Sequence, residues 1–154
     1  MTTRQDGVSR VWIIGESNPY QSEPRPEYDL YPSPPQSAGA RLCRILGHDR
    51  RSYLRTFKRR NLIYGAKWSV PAAREAAATL LREATDGDAL VLLGGKVAAA
   101  FGLPFEALTE HRVGALDALI VPHPSGLSRA WNDPTMAPRV RDAVAKLLES
   151  RGTS

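Results

Sequence analysis

The stretch Ala89-Leu90-Val91-Leu92-Leu93-Gly94-Gly95-Lys96-Val97-Ala98-Ala99-Ala100-Phe101 decides the fold. Five consecutive apolar residues without polar alternation read as a strand covered on both faces, because a strand with one wet face would alternate. Gly94-Gly95 ends the strand, and the Ala-rich residues from Lys96 to Phe101 read as a helix returning over the sheet. The same grammar recurs on either side. Val11-Trp12-Ile13-Ile14, ended by Gly15, is a second short buried strand, and Leu119-Ile120-Val121 is a third that runs directly into Pro122-His123-Pro124-Ser125. Asn61-Leu62-Ile63-Tyr64 is a brief fourth.

Helices separate these strands. Leu42, Ile45 and Leu46 recur at helical spacing within 38–46, and Gly47 supplies the stop. A short helical turn is expected over 51–57. Ser69, ahead of Pro71, opens a helix that runs to about Ala84. A closing helix is expected over 137–150. Strands alternating with helices imply an α/β fold, a three-layer α/β/α sandwich with a mostly parallel central sheet. The 154 residues suit one domain spanning 1–154, with 1–9 expected to be flexible.

Composition narrows the function classes. Hydrophobic residues make up 42% and charged residues 24%, too apolar for a disordered chain. No apolar run approaches the ~20 residues that span a bilayer, so no membrane partner is expected. Residues 1–10 are polar and lack the apolar segment of a secretory signal, which makes a cytoplasmic location the expectation. Cys43 is the only cysteine; it excludes an intrachain disulfide and a cysteine-ligated cluster, and its apolar helical surroundings read as those of a buried, inert thiol. The net charge of +5 favours polyanionic partners. Much of the excess is local, in Arg50, Arg51, Arg55, Lys58, Arg59 and Arg60, and both a solvated helix face and a phosphate-contacting surface fit such a run.

In parallel sheets ligands collect beyond the carboxyl ends of the strands, so the loops after Ile14 and Val121 are the places to look for chemistry. The first is long: residues 16–35 carry six prolines and no periodicity, which excludes regular helix and central strand. Each loop sets a polar residue beside proline, Asn18-Pro19-Tyr20 in the first and His123-Pro124-Ser125 in the second. Proline stiffens both by fixing φ and lowering the entropy lost on ordering. Ser125 lacks the Gly-x-Ser-x-Gly elbow of a hydrolase nucleophile, and Gly94-Gly95-Lys96 lacks the full phosphate-loop pattern.

Taken together, the two loops resemble the signatures of the uracil-DNA glycosylase superfamily. Gly15-Glu16-Ser17-Asn18-Pro19-Tyr20 is similar to its water-activating motif, and His123-Pro124-Ser125-Gly126-Leu127-Ser128-Arg129 to its His-Pro-Ser run and DNA-inserting loop. The strand, glycine pair and helix over 90–102 and the small-residue helix start Ala38-Gly39-Ala40 match in order between them. The missing cysteines exclude the cluster-containing families; the short chain and its Asn-Pro are nearest the small mismatch-specific branch, although Tyr20 stands where that branch has glycine.

The resemblance implies a uracil-DNA glycosylase-like fold and hydrolysis of the N-glycosidic bond of uracil or a related damaged or modified pyrimidine in DNA. The base would be flipped out of the strand, and neither cofactor nor metal is required. Breaking that bond builds positive charge on the sugar and negative charge on the base. Asn18 would hold the attacking water, with an Asx-turn cap as its structural alternative. His123 would donate to the carbonyl of the departing base; a bond to a nearby backbone carbonyl is the alternative. Asn61 would read the uracil edge, Tyr20 would exclude a C5 methyl, and Ser17 and Tyr31 complete the base-binding set, Tyr31 as the stacking ring. Ser125, Gly126, Leu127, Ser128 and Arg129 would contact DNA, with Leu127 or Arg129 filling the gap left by the flipped nucleotide. A divergent member acting on a modified base or nucleoside, and a non-catalytic nucleic-acid-binding module, remain the competing readings.

Overall fold

The computed structural model describes residues 10–18, 25–125 and 128–152. Five strands run β1 (Val11–Asn18), β2 (Lys58–Tyr64), β3 (Ala89–Leu93), β4 (Glu110–Val113) and β5 (Leu116–Val121). Among the described residues five α-helices lie between and after them: α1 (Ala38–Ile45), α2 (Arg50–Thr56), α3 (Val70–Glu83), α4 (Gly95–Ala100) and α5 (Met136–Glu149). The strands form one sheet in the order β2-β1-β3-β5-β4, parallel throughout except for β4, which pairs antiparallel with β5.

Period-two alternation explains the layering. Val11, Ile13, Val91, Leu93, Leu119 and Val121 face a core with the apolar stripes of α1, α2 and α5. Their neighbours Trp12, Ile14, Leu90, Leu92 and Ala118 face α3 and α4. Both faces of the central strands are dry, which is why their sequences are unbroken apolar runs. Helix starts follow the side-chain signals: Ser37, Asp49 and Ser69 each accept a backbone N–H three residues on, at Ala40, Ser52 and Ala72.

Three boundaries differ from the sequence expectation. β1 does not stop at Gly15 but continues to Asn18, because β2 lies alongside and pairs Gly15 with Asn61, Ser17 with Ile63 and Asn18 with Tyr64. Gly15 is therefore a mid-strand residue, and its lack of a side chain makes room for a neighbour: a Cβ there would lie 2.5 Å from Asn61 Oδ1. β2 begins three residues earlier than Asn61, at Lys58. Its basic start is compatible with a sheet edge, where Lys58 and Arg60 lay their cations on the Trp12 ring at 4.4 and 5.5 Å. β4 has no counterpart in the sequence reading, since Glu110-His111-Arg112-Val113 is a half-exposed edge strand with two charged positions. It folds onto β5 through a tight turn in which Gly114 takes φ +60°.

The chain leaves β1 for β2 on one side and returns to β3 on the other. The carboxyl ends of β1 and β3 thus flank the point where strand order reverses, and connecting loops diverge there to leave a crevice. Cys43 is buried, donates from Sγ to His48 O at 3.2 Å, and has its thiol pKa raised by burial. Among the described residues no helix is long and apolar enough to cross a membrane.

Candidate functional site

His123 follows β5 by two residues, and its ring lies against the tip of β1. Nε2 is 3.4 Å from Glu16 Oε2, and the other oxygen of the same carboxylate is 3.7 Å from Lys96 Nζ, on α4. Two backbone features bring the ring there. Gly94 takes φ +91°, and a Cβ at that position would press on His123 Cβ at 3.3 Å, so only glycine lets the loop after β3 pass so close. Trp131 Nε1 donates to His123 O at 2.7 Å and ties the loop to a 3₁₀ turn at Arg129–Asn132.

The electrostatics follow from position. Burial pushes the His123 imidazole below the usual histidine range, while the Glu16 charge pulls it back up. The downward effect is the larger, and the ring is neutral at neutral pH. A carboxylate can only accept, so it favours the tautomer with the proton on Nε2. At 3.4 Å this contact is long for a hydrogen bond, and a better-placed acceptor would draw the same N–H. Glu16 is about a quarter exposed and Lys96 is mostly exposed, which leaves the pair open to solvent and to a ligand. Lys96 Nζ also stands 5.9 Å from the Trp68 ring.

A second polar group sits beside Gly15. Asn61, on β2, is buried, and its Nδ2 donates to Asp29 Oδ1 at 3.2 Å while its backbone N donates to Asp29 Oδ2 at 3.0 Å. Tyr64 donates its hydroxyl to the same Oδ2. Because Asp29 accepts the amide N–H, the Asn61 carbonyl oxygen is turned toward Gly15. Burial raises the Asp29 pKa, partly offset by the bonds from Tyr64 and Asn61 and by the Arg60 charge. Nothing in the sequence marks Asp29: an acidic residue in a proline-rich loop carries no signal of burial. Glu16 was readable as the one acidic residue within the two loop motifs, but nothing in the sequence said that it would meet His123.

The remaining expected residues are distributed as follows. Asn18 ends β1, paired through its backbone with Tyr64, two residues beyond Glu16. Ser17 lies between them with its side chain exposed. Tyr31 accepts from Arg50 Nη2 at 2.6 Å, and the same guanidinium stands 5.0 Å from its ring. The loop before α1 is held close to that helix, since a Cβ on Gly39 would lie 2.2 Å from Leu30 O. Ser125 and Ser128 line a cavity with Arg41 and Arg44 of α1, and Arg129 is exposed. Tyr20, Gly126 and Leu127 lie outside the described residues. The structure thus brings His123 to the β1 segment that carries Asn18, puts Asn61 against that segment from the β2 side, and gives Tyr31 an intramolecular partner of its own.

The basic run is neither a plain solvated face nor wholly a free cationic patch. Arg59 donates to the backbone carbonyls of Asp29 and Glu27 at 2.6 and 3.2 Å, Arg60 pairs with Glu83 at 3.2 Å, and Arg50 is on Tyr31. Arg51 and Arg55 remain exposed on α2. Among the described residues no group of three or more His, Cys, Asp or Glu side chains could hold a metal ion.

No protein-family model matches this chain, and no curated protein matches it either.

Proposed function

We propose that the chain is a DNA glycosylase that hydrolyses the N-glycosidic bond of uracil or a related pyrimidine. The observation that carries the reading is the approach of His123 to Glu16 at the carboxyl end of β1, two residues short of Asn18. A neutral imidazole with its proton on Nε2 is a fixed donor for the oxygen on which the departing base gathers charge. The base carbonyl takes the place of Glu16 as the acceptor as that charge grows. Such a donor loses no free energy to reorientation during the reaction, which is where preorganised sites gain their rate.

The other half of the problem is the cationic sugar. Asn18 lies on the same strand as Glu16, and its amide is suited to orient water but not to take its proton. The Glu16 carboxylate supplies the negative charge that an amide lacks, and the proton given up as the water oxygen bonds to the sugar and the sugar–base bond breaks ends on the departing base anion. Asn61, with its N–H committed to Asp29 and its carbonyl oxygen turned to Gly15, offers a fixed acceptor for a base N–H.

The test is abasic-site formation in uracil-containing oligonucleotides, with Asn18→Ala and His123→Ala as controls. Cleavable abasic sites from the wild type, lost in both variants, support the reading. Tight DNA binding without base release from uracil or any modified pyrimidine overturns it in favour of a binding module.

A further inference from the structure

Arg41 and Arg44 are three residues apart on α1, a spacing that places both on one helix face. Across from them lie Pro124, Ser125, Ser128, Trp131 and Asn132, and the two sides flank an open cavity of about 300 Å³. Ser125, Ser128 and Asn132 contribute polar groups, while Trp131 and Ile45 contribute apolar walls. No carboxylate lines it among the described residues, so the two guanidinium charges are not offset from within. Arg44 Nη1 donates to Pro35 O at 3.0 Å, which fixes that side chain and leaves the rest of its five N–H donors for another acceptor. Two arginines and two hydroxyls facing an apolar wall suit an oxyanion that carries an attached sugar.

The cavity is not isolated from the His123 loop. Pro124 and Ser125 directly follow His123, and Trp131 both lines the cavity and holds the His123 carbonyl at 2.7 Å. A group seated between α1 and Trp131 is therefore coupled by two covalent steps and one hydrogen bond to the imidazole.

We propose that Arg41 and Arg44 hold one phosphodiester of the nucleic-acid strand, next to the nucleotide presented to His123. This rests on the glycosylase reading for the identity of the strand, but not for the chemistry of the cavity, which a free phosphate ion would share. The sugar of the held phosphodiester lies on Trp131 and Ile45. α1 thus fixes the strand's register while the loop after β5 addresses the base.

The experiment is a salt titration of the full chain with a fluorescent single-stranded oligonucleotide lacking uracil. Arg41→Ala and Arg44→Ala are compared with Arg74→Ala, an exposed arginine on α3 in the opposite helical layer. Each cavity variant is expected to weaken binding about tenfold at low salt and to reduce the log-log salt slope by about one, with Arg74→Ala close to wild type. Arg44→Glu, at an exposed position, provides a second variant whose folding is checked by circular dichroism. Wild-type affinity and slope in both alanine variants overturn the proposal. So does binding of inorganic phosphate at the cavity, read from arginine side-chain resonances, by a protein that does not bind the oligonucleotide. Absence of base release alongside the expected salt behaviour instead sinks the glycosylase reading and leaves the phosphodiester site standing.

Discussion

The two ends of the sheet handle charge in opposite ways. At the amino end Asp88, immediately before β3, is fully buried and accepts from Trp12 Nε1 and Thr85 N, both at 3.0 Å, with Arg10 at 3.8 Å. Nearby, Arg151 donates to Gly87 O at 2.9 Å and to Asp117 Oδ2 at 2.8 Å, tying α5 to the start of β5. At the carboxyl end Glu16 meets His123 and Lys96 at 3.4 and 3.7 Å, partly in solvent. Arg10 apart, the charged groups at the first end make hydrogen bonds of 2.8–3.0 Å that lock the termini of elements together. At the second they are held near one another with capacity to spare, which is the condition for a group that must change partners during a reaction.

Substitutions at the two ends should therefore separate activity from stability. On the proposed glycosylase activity, His123→Ala is expected to lower base release by about 10²–10³-fold, the usual cost of removing one preorganised donor. Its unfolding free energy in urea should change by less than about 1 kcal/mol, because the ring is partly exposed and its contact long. Asp88→Ala should invert this pattern. Removing the acceptor of Trp12 and Thr85 and the counter-charge of Arg10 is expected to lower the unfolding free energy by about 2–4 kcal/mol, with base release per folded molecule kept within a few-fold of wild type.

Acid provides a gentler probe of the same contrast. The folded-state pKa of His123 lies below its unfolded value of about 6.5, so below that pH the unfolded chain binds the extra proton first. The stability tied to the neutral ring is present above about 6.5 and is lost as the pH falls from there through the folded pKa. His123→Gln should flatten the pH dependence of the urea midpoint in that window. Asp117 also has a depressed pKa, through its bonds from Arg112 and Arg151, and its contribution is lost only as the pH falls below the usual carboxylate value of about 3.9. The two ends thus titrate in separate windows.

Glu16→Gln is the smallest perturbation in stability and the sharpest in electrostatics. Removing a charge that raises the His123 pKa should lower that pKa further, read from the imidazole proton resonances across a titration. The change in unfolding free energy should stay under about 1 kcal/mol, as expected for a solvent-screened pair. An unchanged histidine titration would mean that the carboxylate does not act on the ring.

What could be read in the sequence follows the same division. β3, the apolar part of β1, α1, α3 and α5 were legible because each is specified locally, by an apolar run or stripe and by a cap such as Ser69. The extension of β1 through Glu16, Ser17 and Asn18 was not, since those polar residues are strand only because β2 pairs with them. The basic start of β2 and the polar β4 were missed for the same reason: both are edge strands, whose residues answer to solvent as much as to a core. At the site, proline and glycine marked the two loops, but the meeting of Glu16 with His123 joins residues more than a hundred positions apart. That pairing depends on strand order, and strand order is written in no local pattern.

Trp131 gives this arrangement an optical handle. Its indole N–H is committed to the His123 carbonyl, and its ring forms one wall of the arginine-lined cavity. Any molecule that enters there or shifts the loop changes the polarity around one fluorophore. Of the other two tryptophans, Trp12 is buried under Lys58 and Arg60, whereas Trp68 stands beside Lys96 and responds to changes there, so the Trp131 signal is taken by difference. Emission quenching on titration with oligonucleotide, compared in a Trp131→Phe variant, therefore reports occupancy of the site without any attached dye.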